Sequence, residues 1–215
     1  PTHDFYISRF EVSNDQFLRF LNAAQENPKT AMGANMFFDD RGNVWFSPEM
    51  RPDRDEMFLI ANSRLVYDPD QSVGSRYQHV AIGDTMPFAD HPVVGVSWYG
   101  AVKYCNWLTI LAGRGESERC YREGTNALAW HPVTATNWIA GEFSPAERER
   151  WIELKGFRLP MLQDDIDAIN TNRYNEAFKV AAWHGNTNIA YAFGRTNATP
   201  SDRSEERRVG KECSV

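Results

Sequence analysis

The chain of 215 residues is 42% hydrophobic and 13% aromatic, which is enough apolar surface to build one sizeable globular core. Its net charge of −6, with no basic stripe, argues against a nucleic-acid partner, and no apolar run approaches the roughly 20 residues of a membrane span. Three widely spaced cysteines make neither a disulfide framework nor a zinc motif.

In chain order, the aromatic and β-branched run 5–10 (FYISRF) reads as a short strand. Ser13-Asn14-Asp15-Gln16 is a capping box, and Phe17, Phe20, Leu21 and Ala24 recur at helical spacing, so a helix is expected over about 14–26. Met36–Phe38 and Val44–Phe46 flank an Asp/Gly/Asn turn and read as a hairpin. The acidic turn lacks the alternating oxygen ligands and distal Glu of a calcium loop, so turn chemistry is the better reading. Met57–Ile60 and Ser63–Tyr67 are further strand candidates.

Ser97 is placed to cap the strongest helix of the chain. Trp98, Ala101, Val102, Cys105, Leu108 and Leu111 fall on one stripe that should face the core, with Gly113 as the stop. A loop rich in Gly, Thr, Asn and Trp covers about 113–143. Ser144-Pro145-Ala146-Glu147 is a second capping box, opening a short polar helix that ends near Gly156. Leu162, Ile166 and Ile169 suggest another helix, and 175–183 a further turn or two.

Residues 203–213 (RSEERRVGKEC) back-translate to a common short-read sequencing adapter, so 203–215 are expected to be an artefactual or disordered tail and Cys213 is set aside. The genuine domain is then expected to occupy 1–202.

Three stretches, in order and spacing, carry a family resemblance. Residues 5–17 (FYISRFEVSNDQF) resemble an "FYI…EVTN-x-Q-F/Y" opening. Residues 91–108 (HPVVGVSWYGAVKYCNWL) resemble "HPV-x-x-VSW-x-x-A-x-x-YC-x-W". Residues 156–160 (GFRLP) are similar to a "G-Y/F-RLP" turn, and 191–195 (YAFGR) are a fainter echo of "YPWG". Together they resemble the formylglycine-generating-enzyme, or sulfatase-modifying-factor, family. Glu11, Asn14, Ser97, Trp98, Cys105, Trp107, Arg158 and Pro160 stand at its structural motif positions. The resemblance implies an α+β fold related to C-type lectins, with little regular structure. After Pro160 the family's "TEAEWEYAAR" is replaced by Met161-Leu162-Gln163-Asp164-Asp165-Ile166, which marks a divergent branch.

Catalytic relatives, by the same resemblance, oxidise a cysteine of a protein or peptide substrate to formylglycine, using dioxygen and Cu(I) on two thiolates, with calcium as a further implied metal. Soft thiolates suit Cu(I). The family's thiolate pair belongs to a closing segment expected to be missing here, as is the opening strand. No catalytic, cofactor-binding or metal residue is therefore assigned, and the chain itself is expected to be inactive. A non-catalytic ligand- or protein-binding module of the same superfold is the alternative.

Cys105 reads as a small core hydrophobe, and core packing outweighs a disulfide or a shared metal with Cys120. His3, His79, His91, His131 and His184 show no helical ligand spacing. Arg158 suits a buried structural ion pair better than a substrate carboxylate. Glu11, before a helix, suits acceptance of backbone N–H bonds. Trp45, Trp98, Trp130, Trp138 and Trp183 could line a peptide groove, but loop packing is the commoner use of such rings.

Overall fold

The structure, a computed structural model, describes residues 6–8, 10–140, 143–160, 183–184 and 187–188. Val12–Leu159 forms one compact unit, and Pro1–Glu11 with Pro160–Val215 forms a second. In the second unit β8 (Trp183–His184) pairs antiparallel with β9 (Thr187–Asn188). The strand expected over 5–10 does not form among its described residues: 6–8 and 10 make no ladder, and an aromatic alternation without a pairing partner is not a strand. The helix expected around 162–169 lies outside the described residues, as do the turns at 175–183 save for Trp183, and so does the tail 203–215.

The larger unit begins with α1 (Asn14–Glu26). Ser13 Oγ accepts the Gln16 N–H at 3.3 Å while Gln16 Oε1 accepts the Ser13 N–H at 3.0 Å, closing the capping box read in the sequence. Phe17, Phe20, Leu21 and Ala24 are all buried. The remaining first-turn donors do not need the acceptor role expected of Glu11. The Asn14 and Asp15 N–H groups donate to the carbonyls of His91 and Ala89 at 2.9 and 3.0 Å, so a returning loop supplies what a carboxylate would have supplied.

The strands are short because each packs one or two aromatic side chains and then turns. β1 (Phe37–Phe38), β2 (Val44–Trp45) and β3 (Glu56–Phe58) form an antiparallel sheet, and β4 (Leu65–Tyr67) pairs with β5 (Tyr77–His79). The β1–β2 turn needs its glycine: Gly42 has φ +88, and a Cβ there would meet the Tyr67 ring at 2.4 Å. After α2 (Trp98–Leu111), β6 (Tyr121–Arg122) pairs with β7 (His131–Pro132). Then α3 (Pro145–Ile152) opens on Ser144 with Pro at its first turn and both capping-box bonds made. Among the described residues, three α-helices and small antiparallel sheets place the chain in the α+β class.

α2 corrects the sequence reading most. Of the expected stripe, Val102 and Cys105 are buried and Ala101 and Leu108 half-buried, but its ends are not: Trp98 is 42% exposed and Leu111 57%. The buried residues are Gly100, Val102, Lys103, Tyr104, Cys105, Asn106, Trp107 and Thr109. They wrap more than half the helix, because α2 is packed between α1 and β3 on one side and β6 on the other. The buried indole is Trp107, stacked on Tyr104 with ring centroids 5.6 Å apart and edge-on to Phe20 at 5.5 Å. Three polar side chains at 103, 106 and 109 turn inward, where a hydropathy stripe would have sent them out.

Candidate functional site

The polar face of α2 carries a buried network of charged and amide groups. Lys103 is fully buried, and its Nζ donates to Glu123 Oε2 at 2.6 Å and to the Ala31 carbonyl at 2.9 Å. Asn106 Nδ2 donates to Glu123 Oε1 at 2.8 Å and to the Tyr121 carbonyl at 2.9 Å, while Arg119 approaches the same carboxylate at 3.5 Å. Burial pushes the Lys103 ammonium below its ordinary value and the charge of Glu123 pulls it back. Both oxygens of this carboxylate are held by buried partners, which suits it to holding α2 in place. None of Lys103, Asn106 and Glu123 stands out in a hydropathy pattern. The signal available was the spacing of 103, 106 and 109, which puts three polar groups within one arc of an otherwise apolar helix.

Beside this network lie the two thiols, both free and buried. Burial pushes the Cys105 thiol up to about 12, with the nearby Cys120 adding to the shift. Burial also pushes Cys120 up to about 11, against the opposing pull of Arg158 and of a hydrogen bond from the Gly156 N–H. Arg158 lies over the Trp151 ring, its guanidinium carbon 5.0 Å from the centroid. Trp151 in turn donates its indole N–H to the Cys120 carbonyl at 2.7 Å.

The donor set decides whether Cu(I) fits here. A metal-binding sulfur must be a thiolate and must be reachable. Cys105 and Cys120 are buried, which closes them to a substrate thiol and disfavours the thiolate form, so they do not fit a copper ion open to a substrate thiol. Among the described residues no three His, Cys, Asp or Glu side chains cluster to hold a metal. The acidic turn is equally committed. Asp39 Oδ1 accepts the Arg41 and Asn43 N–H groups at 3.0 and 2.8 Å, and its Oδ2 accepts Asn43 Nδ2 at 2.9 Å and Trp45 Nε1 at 3.2 Å. Burial raises its pKa, but those four donors outweigh it and hold the carboxyl below its usual range. The turn thus spends its carboxylate on its own backbone and on the Trp45 indole.

The other motif residues sit at joints. Asn14 is fully buried and donates to the Phe88 carbonyl at 2.8 Å. Ser97 accepts the Gly100 N–H at 3.4 Å and donates to the Glu56 carbonyl at 2.6 Å, tying the start of α2 to β3. Glu11 and Pro160 are exposed in the smaller unit. His79 meets Asp15 at 3.2 Å, and His131 stacks on Trp138 with centroids 6.3 Å apart. Trp45 and Trp130 are buried, whereas Trp98 reaches the surface against Tyr99 and Tyr121. A recess of about 240 Å³ opens where β3 meets the start of α2, lined by Glu56–Leu59, Asn62 and Gly95–Ser97 and bordered in sequence by exposed Val94 and Trp98.

Comparison with known proteins gives two findings. A family model described as a sulfatase-modifying factor enzyme 1-like domain matches residues 1–186. The serine/threonine-protein kinase pkn1 of Chlamydia pneumoniae is 28% identical over 107 residues, 49% of this chain, and the matched stretch spans 12% of that protein's length. No solved structure matches. No helix among the described residues is long and apolar enough to cross a membrane.

Proposed function

We propose a function from one premise: the chain belongs to the sulfatase-modifying factor enzyme 1-like family. The reading is that the full protein is a formylglycine-generating-type oxidase that converts a cysteine of a partner protein to formylglycine. Residues 12–159 are its scaffold and part of its peptide-binding surface, and its reacting thiolates are residues other than Cys105 and Cys120. The observation that carries the scaffold role is the burial of those two thiols, which disfavours their thiolate forms. The fold in this reading is the family's C-type-lectin-related one.

The test is direct. The purified chain is incubated with Cu(I), dioxygen and a cysteine-bearing sulfatase-motif peptide, and aldehyde is trapped with a hydroxylamine probe. No aldehyde is expected, and peptide aldehyde that survives Cys105→Ala and Cys120→Ala controls would show a reacting centre elsewhere in this chain. Aldehyde lost in those variants would overturn the scaffold role of the two thiols.

A second reading, a non-catalytic ligand- or protein-binding module, is favoured by the recess at the start of α2 and its exposed neighbours Val94 and Trp98. It predicts that peptide binding is indifferent to replacing the peptide cysteine by serine, whereas an oxidase's substrate surface discriminates between them.

A further inference from the structure

The two thiols remain without a chemical role, and their surroundings bring them together from several directions. Val102, Cys105, Asn106 and Thr109 share one face of α2, at i, i+3, i+4 and i+7. The neighbours of Cys105 on that face anchor to the segments that flank Cys120. Asn106 grips the residue after Cys120 at both backbone groups: Nδ2 donates to the Tyr121 carbonyl at 2.9 Å and Oδ1 accepts the Tyr121 N–H at 3.3 Å. One turn further, Thr109 Oγ1 accepts the Phe157 N–H at 2.9 Å and would lie 3.0 Å from a Cβ placed on Gly156. The N–H of Gly156 is directed to the Cys120 sulfur. Asn106, next to Cys105, is thus tied to Tyr121, next to Cys120, and Thr109, whose hydroxyl also donates to the Cys105 carbonyl at 2.9 Å, is tied to Phe157 beside Gly156. The Cys120 sulfur also adds, after burial, to the rise of the Cys105 thiol.

We propose that Cys105 and Cys120 form a closable dithiol, which a disulfide oxidant converts to an intramolecular disulfide stapling α2 to β6. With oxidised glutathione, one protein thiolate attacks a glutathione sulfur, forms a mixed disulfide and releases one glutathione thiol. The second protein thiolate then attacks the protein-side sulfur of that mixed disulfide. The protein S–S bond forms and the second glutathione thiol leaves, so two protons and two electrons pass from the protein to the oxidant. The thiols are buried and protonated, so closure is slow in the folded state and quickens at mildly alkaline pH or when the β6–β7 hairpin opens.

The test uses the whole chain, incubated with oxidised glutathione at mildly alkaline pH, quenched with iodoacetamide and digested with trypsin without reduction. The expected product is the peptide 104–114 linked to the peptide 120–122, lighter by two hydrogens than the two free peptides together. The closed form should melt higher by about 6–12 °C, because the bridge closes a short loop, and dithiothreitol should reverse the shift. Cys105→Ser should abolish the link and leave Cys120 as a glutathione adduct. Separate adducts on both cysteines, links to Cys213 or between chains, or two thiols still unreacted after prolonged oxidation would each overturn the proposal.

Discussion

The two sides of α2 are both buried, and they are built on different principles. Toward α1 and β3, Tyr104 meets Phe17 and Phe20, Trp107 meets Phe20, and Phe17 in turn meets Phe58, in edge-on and tilted ring contacts with centroids 5.4–5.6 Å apart, beside buried Leu21 and Ala24. Toward β6, Lys103, Asn106 and Thr109 make directed bonds to Glu123, Tyr121 and Phe157. Dispersion and burial are non-directional, so the first side depends on volume. Buried charge is costly unless each group keeps its partner, so the second side depends on identity.

Breaking that contrast gives the largest expected effect. Lys103→Met takes from the buried Glu123 carboxylate its shortest ion pair, leaving Asn106 and the longer Arg119 approach, and should cost about 3 kcal/mol in denaturant unfolding. Pairing it with Glu123→Leu should recover most of the loss. A single mutant no worse than a surface substitution would contradict the network. On the aromatic side a volume-conserving change, Leu21→Met, should cost less than about 1.5 kcal/mol despite the complete burial of Leu21. The ratio between these two values is the contrast in measurable form.

A sharper probe of the polar side is Gly156→Ala. A Cβ there would stand 2.1 Å from the Glu118 carbonyl oxygen, a backbone atom that cannot swing away, so about 1–3 kcal/mol should be lost. Ser13→Ala removes the α1 cap on the other side and should cost about 1 kcal/mol, read from the urea midpoint.

The smallest effect is a dependence on pH. Hydrogen bonds from Thr136 and Ser144 hold the Glu147 carboxyl down to about 2, against an ordinary value of 4.5. A carboxyl depressed in the fold stabilises it fully above 4.5, and that contribution fades as pH falls toward about 2. Urea midpoints measured down the acid limb should fall over this window, and Glu147→Gln should flatten the fall.

The sequence made α1, the β1–β2 hairpin and α3 legible because their signals are local. A capping box, a Pro at the first helical turn and an Asp/Gly/Asn turn each act within a few residues, and the structure closes those same bonds at Ser13, Ser144 and Asp39. β5 and the inward face of α2 were not legible, since both are set by partners distant in sequence. Tyr77 exchanges two hydrogen bonds with the Asn22 side chain, at 2.9 and 3.0 Å, and Lys103 is turned inward by Glu123 and the Ala31 carbonyl. No period in a single helix announces a cation whose partner lies a hairpin away. Cys105 was readable as a core residue from its place on α2, whereas Cys120 fell in the expected loop and its burial depends on Asn106, Thr109 and Gly156, which hold the neighbouring segments against the helix.

The central claim is that the sulfurs of this scaffold are packed away from chemistry in the reduced fold. Site-resolved iodoacetamide labelling of the freshly reduced native chain at neutral pH, read peptide by peptide, tests it most directly. The account predicts that Cys105 and Cys120 label only as fast as the fold opens and reach the free-thiol rate in denaturant. Labelling of either one at the free-thiol rate in the native chain would contradict it.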